Sequence, residues 1–194
     1  MQVGILLGNG YEEIEALTVV DYLRRADISI DMISITGDYM TMGDHNIPIK
    51  ADILLEDISS DDYDVIVTPG GMPGAKMLAG SDTVIRLLQS QYESGGYIAS
   101  ICASPLALEA AGIAEEITGT CFPGLETDDI HFGTFKEDLV VHDKKHHVIT
   151  SRGPATAVYF ALELIGLIAG EDKRQEIADG LLIPLVESTV KDND

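Results

Sequence analysis

The sequence predicts an α/β protein: a mostly parallel sheet with helices on both faces. Three observations carry this. Short apolar runs at Val3–Leu7, Val65–Thr68 and Tyr97–Ile101 have the length of buried strands. Helical patterns alternate with them, as the crossovers of a parallel sheet require. The unusual residues follow the strand ends, where open α/β sheets place their sites.

The elements follow in order. Val3–Leu7 is a central strand, broken by Gly8-Asn9-Gly10. From Glu12 a helical pattern starts: Ile14, Leu17, Val20 and Leu23 recur every third residue, and Ala16, Val19 and Tyr22 widen that face. A strand is expected over Ile28–Ile35, then short β pieces near Tyr39–Met42 and Ile47–Ile49 around a Gly43-Asp44 turn. Val65–Thr68 ends at Pro69-Gly70-Gly71. Helices fit Ala75–Leu78 and Asp82–Glu93, the second capped by Ser81. The Tyr97 strand leads into a helix running to Ala111 and stopped by Gly112. Ile117–Phe135 reads as irregular and glycine-rich. Leu139–Val141 and Val148–Ser151 form a hairpin around Asp143-Lys144, a long apolar helix follows Pro154, and an amphipathic segment over Lys173–Leu182 closes the chain.

The most informative stretch is Ile98-Ala99-Ser100-Ile101-Cys102-Ala103-Ser104-Pro105. A strand ends at a cysteine with small neighbours, and a helical pattern follows with Pro105 near its first turn. This is the cysteine counterpart of a nucleophile elbow. A helix N-terminus would stabilise the thiolate and lower its pKa below the free value of ~8.5. The alternative is a buried cysteine packed as a small hydrophobe.

Bulk properties exclude several classes. The chain has 194 residues, read as one domain over 1–194, with 45% hydrophobic and 23% charged residues. Its formal charge of −21 argues against nucleic acid and anionic membrane surfaces. The Asp57, Asp61, Asp62, Asp64 run lacks the ligand spacing and turn glycine of a calcium loop. Two cysteines, Cys102 and Cys121, make no disulfide framework, and Met1–Gly8 has no basic region of a secretory signal. The longest apolar stretch, Ala155–Ala169, contains Glu163 and falls short of a membrane span. The expectation is a cytoplasmic, reduced protein.

Five motifs in order, Gly10-Tyr11-Glu12-Glu13-Ile14-Glu15, Val19-Val20-Asp21 with Arg24-Arg25-Ala26, Thr68-Pro69-Gly70-Gly71-Met72-Pro73-Gly74-Ala75, the Cys102 stretch, and Thr150-Ser151-Arg152-Gly153-Pro154, cover nearly the whole chain. Together they resemble the DJ-one/ThiJ/PfpI superfamily, specifically its DJ-one/ThiJ-like branch. The resemblance implies a flavodoxin-like three-layer sandwich and a homodimer. It implies that Cys102 is the reactive, oxidation-prone cysteine, Glu15 the acid lying against it, and Gly71 and Ala103 the donors of backbone N–H groups to an oxyanion. A carboxylate beside a thiolate is unfavourable, so the pair should retain a proton, and a protonated Glu15 can donate to the thiolate and then move that proton. For Glu15 the plainer role is a helix-start carboxylate, as for Glu12 and Glu13.

Two departures bear on activity. Active glyoxalases of the family often carry a histidine where this chain has Phe122, which removes a general base. Ala103 follows the elbow cysteine where the protease-like branch needs histidine, which argues against protease chemistry. His45 lies near the place where the family sets an arginine reaching the partner's site, but reads as a surface histidine. His131 reads as a loop residue. His142, His146 and His147 flank the hairpin turn without the further ligands of a zinc site. Cys121 reads as packed or as a resolving thiol. Arg152 either binds an anionic group or forms an internal salt bridge to Asp21 or Asp179. Two functions follow. One is a stress protein acting without cofactor or metal on small reactive carbonyls or their protein or nucleotide adducts, glyoxalase- or deglycase-like. The other is a redox sensor or chaperone whose Cys102 is oxidised to the sulfinic acid.

Overall fold

A computed structural model describes residues 1–191. The chain runs β1 (Val3–Leu7), α1 (Glu13–Arg25), β2 (Ile30–Ser34), β3 (Met40–Met42), β4 (Pro48–Lys50), β5 (Ile53–Leu54), β6 (Val65–Thr68), α2 (Met72–Ala79), α3 (Asp82–Glu93), β7 (Tyr97–Ile101), α4 (Leu106–Ala110), β8 (Thr118–Gly119), α5 (Leu125–Asp128), β9 (Thr134–Phe135), β10 (Val140–Asp143), β11 (Val148–Ser151), α6 (Ala157–Ala169), α7 (Glu171–Gly180) and α8 (Ile183–Lys191). Seven strands form the central sheet in the order β10-β11-β7-β6-β1-β2-β5. All its pairings are parallel except β10 with β11.

Period-two alternation sorts the core into two layers. Val3, Ile5 and Leu7 of β1, Val65 and Val67 of β6, Ala99 and Ile101 of β7 and Ile149 of β11 face one side, against α1, α6 and α7. Leu6, Ile66, Ile98 and Val148 face the other, against α2, α3 and α4. Strands buried on both faces read as continuous apolar runs, which is why the central ones are legible in the sequence. The fold is the expected α/β sandwich.

The structure departs from the pattern in several places. On α1 the buried face is Ala16, Val19, Val20 and Leu23, while Ile14 is 57% and Leu17 36% exposed. The every-third-residue stripe drifts off the core because a helix turns in 3.6 residues. The second strand covers only Ile30–Ser34 of the expected Ile28–Ile35. The edge strand β5 is too short to leave a sequence pattern, being only Ile53–Leu54. The helix α2 starts at Met72 rather than Ala75. The stretch expected to be irregular contains β8, α5 and β9, all short. The terminal segment is two helices, α7 and α8, hinged at Leu182, whose φ is 62°. Ser81 does cap α3, accepting from Val84 N–H at 3.4 Å.

Among the described residues, no helix is long and apolar enough to cross a membrane.

Candidate functional site

Cys102 sits at the end of β7 with φ of 65°, a left-handed backbone that disfavours a side chain. Such a residue costs on the order of 1–3 kcal/mol and persists only where its surroundings impose it. Here the surroundings are identifiable. Its N–H donates to Ser151 C=O at 2.9 Å and its C=O accepts from Phe122 N–H at 2.8 Å. Below it lies a buried hydroxyl cluster: Ser104 Oγ accepts from Ile101 N–H at 3.0 Å and donates to Thr68 C=O at 2.6 Å, and Thr68 Oγ1 meets Ser100 Oγ at 2.6 Å. Sequence reasoning gives Ser100 and Ser104 only as small neighbours. Their hydroxyls in an otherwise apolar stretch are the signal for this clamp, since a buried hydroxyl needs a partner.

The helix expected to start at the thiol does not. Its first residue is Leu106, with Pro105 just before it, and it ends at Ala110. Cys102 to Pro105 form turns, so the nearby N–H groups, not a helix dipole, act on the sulfur. Gly71 N–H and Ala103 N–H both act on the Cys102 sulfur, favouring its charged form. Gly71 holds φ of 84°, and a Cβ there would run into the backbone of Gly10 and Glu12, so only glycine fits.

Glu15 comes from α1, in phase with Val19 and Leu23, and is fully buried. Its Oε2 accepts from Gly70 N–H at 2.8 Å. The Cys102 thiol is its neighbour across Gly70, and Oε1 is buried with no hydrogen-bond partner. Gly70 separates the two: a Cβ on it would lie 2.5 Å from Glu15 Oε2 and 2.6 Å from Cys102 Cβ.

Burial pushes the Glu15 carboxyl up to about 7, against the opposing pull of the Cys102 thiol and Gly70 N–H, with the Glu12 charge adding to the rise. Burial also raises the Cys102 thiol, as do the Glu15 charge and the hydrogen bond to it, while the Gly71 and Ala103 N–H groups oppose the rise. The expected depression of the thiol pKa is therefore not found: burial raises it, and no helix starts at the thiol. A desolvated thiolate beside an ionised carboxylate is unfavourable, so the pair keeps one proton through neutrality. A proton on Glu15 would replace the repelling charge beside the sulfur with a donor.

The other candidates are placed as follows. Cys121 is fully buried, its sulfur 3.9 Å from Glu126 Oε2. Burial and Glu126 push its thiol up to about 12, with Arg152 opposing. Arg152 lies over the Phe135 ring at 5.8 Å. Neither suggested salt bridge forms: Asp21 pairs with Arg25 at 2.7 Å, and Asp179 accepts from Gln175. Those carboxylates already have partners on their own helices. His45 is 65% exposed and its Nδ1 lies 2.8 Å from Glu13 Oε2. Among the described residues, Glu12, Glu13 and His45 alone gather three metal-ligating groups, within 4.8 Å of one another. In this structure the Glu13–His45 contact ties the β3–β4 hairpin to α1. His142 pairs with Glu163, His146 with Asp143 and His131 with Glu109. His147 Nδ1 meets Gly95 C=O. Phe122 is 47% exposed beside the elbow.

The site thus occupies the crevice beyond the carboxyl ends of β1, β6 and β7, where the strand order leaves β1 in both directions. Comparison with known proteins identifies the family. The model of the DJ-1/PfpI family matches residues 1–167. Protein dj-1beta of Drosophila melanogaster is 37% identical over 179 residues, covering 92% of this chain and 95% of that protein. A Caenorhabditis elegans protein named glutathione-independent glyoxalase DJR-1.2 is 34% identical over 185 residues, covering 90% of this chain and 89% of that protein. The crystal structure of Drosophila melanogaster DJ-1beta is similar with a TM-score of 0.88 at 36% identity, over 94% of this chain and 98% of its own. Oxidized Toxoplasma gondii DJ-1 gives 0.87 at 31% identity, over 93% and 97%. With a family model spanning most of its length and relatives matched nearly end to end, this chain belongs to the DJ-1/PfpI family.

Proposed function

We propose that the protein converts small 2-oxoaldehydes into 2-hydroxy acids with Cys102 as nucleophile and Glu15 as acid and base. The observation that carries this reading is the buried Glu15–Cys102 pair, both side chains packed against Gly70. The name of the glyoxalase relative from Caenorhabditis elegans points the same way.

The chemistry balances with water as the only co-reactant. In the reactive form Glu15 holds the pair's proton and Cys102 is a thiolate. The sulfur lone pair forms a C–S bond to the aldehyde carbon, the carbonyl π pair moves to oxygen, and that oxygen takes the Glu15 proton. The carboxylate then removes the hydrogen on the former aldehyde carbon, giving an enediolate whose negative oxygen can accept from the Gly71 and Ala103 N–H groups. Glu15 returns the proton to the adjacent carbon, while the hydroxyl proton passes between the two oxygens. One carbon is oxidised and its neighbour reduced, so no external oxidant is needed. Water adds to the thioester carbon, the C–S bond breaks to release the Cys102 thiolate and the 2-hydroxy acid, and the water's second proton returns to Glu15. Adducts of the same aldehydes on protein or nucleotide amines present the same carbons, which is the deglycase form of the reaction.

The test is methylglyoxal turnover by wild type, Cys102→Ser and Cys121→Ser, beside peptide mapping after mild iodoacetamide. Turnover and labelling should require Cys102 and survive loss of Cys121, which is buried with a raised pKa. Turnover retained in Cys102→Ser, or preferential labelling of Cys121, would sink the reading.

One observation favours a second reading, a redox sensor of stress without turnover. Phe122 supplies no base at the elbow. Peroxide would then oxidise the Cys102 thiolate to the sulfinic acid, its oxygens held by Glu15 and the two N–H groups. A sulfinic product forming faster than any hydroxy acid would select it.

A homodimer is part of the proposal. Ile14 and Leu17 on α1 and Met40, Met42 and Ile47 on the β3–β4 hairpin are exposed apolar side chains. The Tyr11–Gly43 bridge and the Glu13–His45 contact join them into one face. Contiguous exposed apolar surface marks an interface. Sedimentation at micromolar concentration should give about twice 20.9 kDa, falling toward the monomer in Ile14→Lys.

A further inference from the structure

We propose that Phe122 sets the substrate class of this site, selecting 2-oxoaldehydes that carry an aryl or comparably flat apolar group over those carrying a methyl. The inference rests on Cys102 adding to an aldehyde, as above, but not on turnover.

Three observations place the ring. First, Phe122 N–H donates to the Cys102 C=O at 2.8 Å, so its backbone is pinned to the nucleophile's own residue. Second, Cys102 N–H is bonded to Ser151 C=O at 2.9 Å, which brings the following Arg152-Gly153 turn close to the elbow. Third, the Phe122 ring lies over Gly153: a Cβ there would meet the ring at 3.4 Å. The ring therefore rests on a side-chain-free turn, its backbone tied to the residue that carries the thiol, while remaining 47% exposed. Met72, directly after the Gly71 donor, is a second exposed apolar side chain at 38%. The neighbouring cation does not compete for a substrate's anionic group, because the Arg152 guanidinium is laid on Phe135.

An exposed ring held beside a reacting centre gains by covering apolar substrate surface. A methyl group offers little to cover; an aryl group offers a stacking partner. The ring carries no titratable group, so it adds selection without adding a second base. The covalent event it acts on is the reversible addition alone: the C–S bond forms, the carbonyl π pair moves to oxygen, and oxygen takes the Glu15 proton.

The experiment measures protection of Cys102 from iodoacetamide by phenylglyoxal and by methylglyoxal at neutral pH, counting only protection that reverses on dilution. Reversibility separates the hemithioacetal from arginine modification. The ratio of the two protecting concentrations cancels the intrinsic electrophilicity of each aldehyde when variants are compared. We expect Phe122→Ala to reduce the preference for phenylglyoxal by about 3- to 10-fold, the size of an aromatic pair's added contribution, and Phe122→Tyr to keep it. The kcat/KM ratio for the two aldehydes should fall in parallel. An equal ratio in wild type and Phe122→Ala overturns the inference, as does absence of reversible protection by either aldehyde. A Phe122-dependent ratio without any 2-hydroxy acid formed supports the selection and overturns the proposed turnover.

Discussion

Glu15→Gln should abolish turnover while leaving Cys102 open to alkylation. General acid–base catalysis by a positioned group contributes on the order of 10²–10⁴-fold, and an amide does not titrate near neutrality. Glutamine can still accept from Gly70 N–H and donate to the sulfur, so thiol labelling near pH 8 should persist. The same variant has a stability signature that catalysis alone would not produce. The Glu15 carboxyl is pushed from 4.5 up to about 7 by burial. Below the unfolded value both states hold the proton and folding carries no penalty. As pH rises from 4.5 through 7, the unfolded chain releases its proton first and stability falls. The full penalty is about 3 kcal/mol once the folded carboxyl has also ionised, since holding a proton that the unfolded chain has lost costs ~1.4 kcal/mol for each pH unit. Glu15→Gln removes it. Its advantage over wild type should widen by about 2 kcal/mol between about pH 5.5 and about pH 8.5, several degrees in Tm for a chain of this size. Thermal melts across pH give the answer. A constant gap would mean that Glu15 does not titrate as a buried group, and the proton-transfer role would fall with it.

Gly70→Ala is the second large effect, and it requires no change in chemistry. The added Cβ would stand 2.5 Å from Glu15 Oε2, 2.6 Å from Cys102 Cβ and 3.0 Å from Cys102 Sγ. Neither neighbour is a flexible chain end: Glu15 is fully buried and Cys102 is fixed by bonds at both its N–H and C=O. The two must move apart, and a displacement of about 1 Å costs roughly 10²-fold in rate. Overpacking of this kind destabilises by about 1–3 kcal/mol. Gly112→Ala is the control. Gly112 has φ of 71° and open space around its Cβ position, so it carries backbone strain only. Gly70→Ala should lose reversible protection of Cys102 by methylglyoxal as well as turnover; Gly112→Ala should lose stability of about 1 kcal/mol and keep both. Equal activity in the two variants would show that the Glu15–Cys102 contact tolerates separation.

The sequence by itself determined the central strands and the elbow. Strands buried on both faces must be apolar throughout, so β1, β6 and β7 are visible as runs; the runs Val65–Thr68 and Tyr97–Ile101 coincide with β6 and β7. Cys102 between small residues at a strand end marks the proposed nucleophile, and the order of motifs marks the family. Through the resemblance, the sequence also proposes Glu15, Gly71 and Ala103 for the site. What it could not supply are quantities set by contacts between distant segments. The bond from Gly70 N–H to Glu15 joins residues 55 apart in the chain. No local pattern encodes it, yet it fixes the acid against the thiol and creates the crowding at Gly70. The direction of the pKa shifts is likewise a tertiary result. The sequence suggests a helix that would lower the thiol pKa, but the chain turns for several residues before α4 begins, and burial acts instead. Opposite charge alone suggests a carboxylate partner for Arg152, whereas packing lays it on Phe135. Residue type and spacing set which chemistry is available. Depth, and the neighbours that depth imposes, decide which group holds the proton, because desolvation depends on the whole packed surroundings rather than on any stretch of chain.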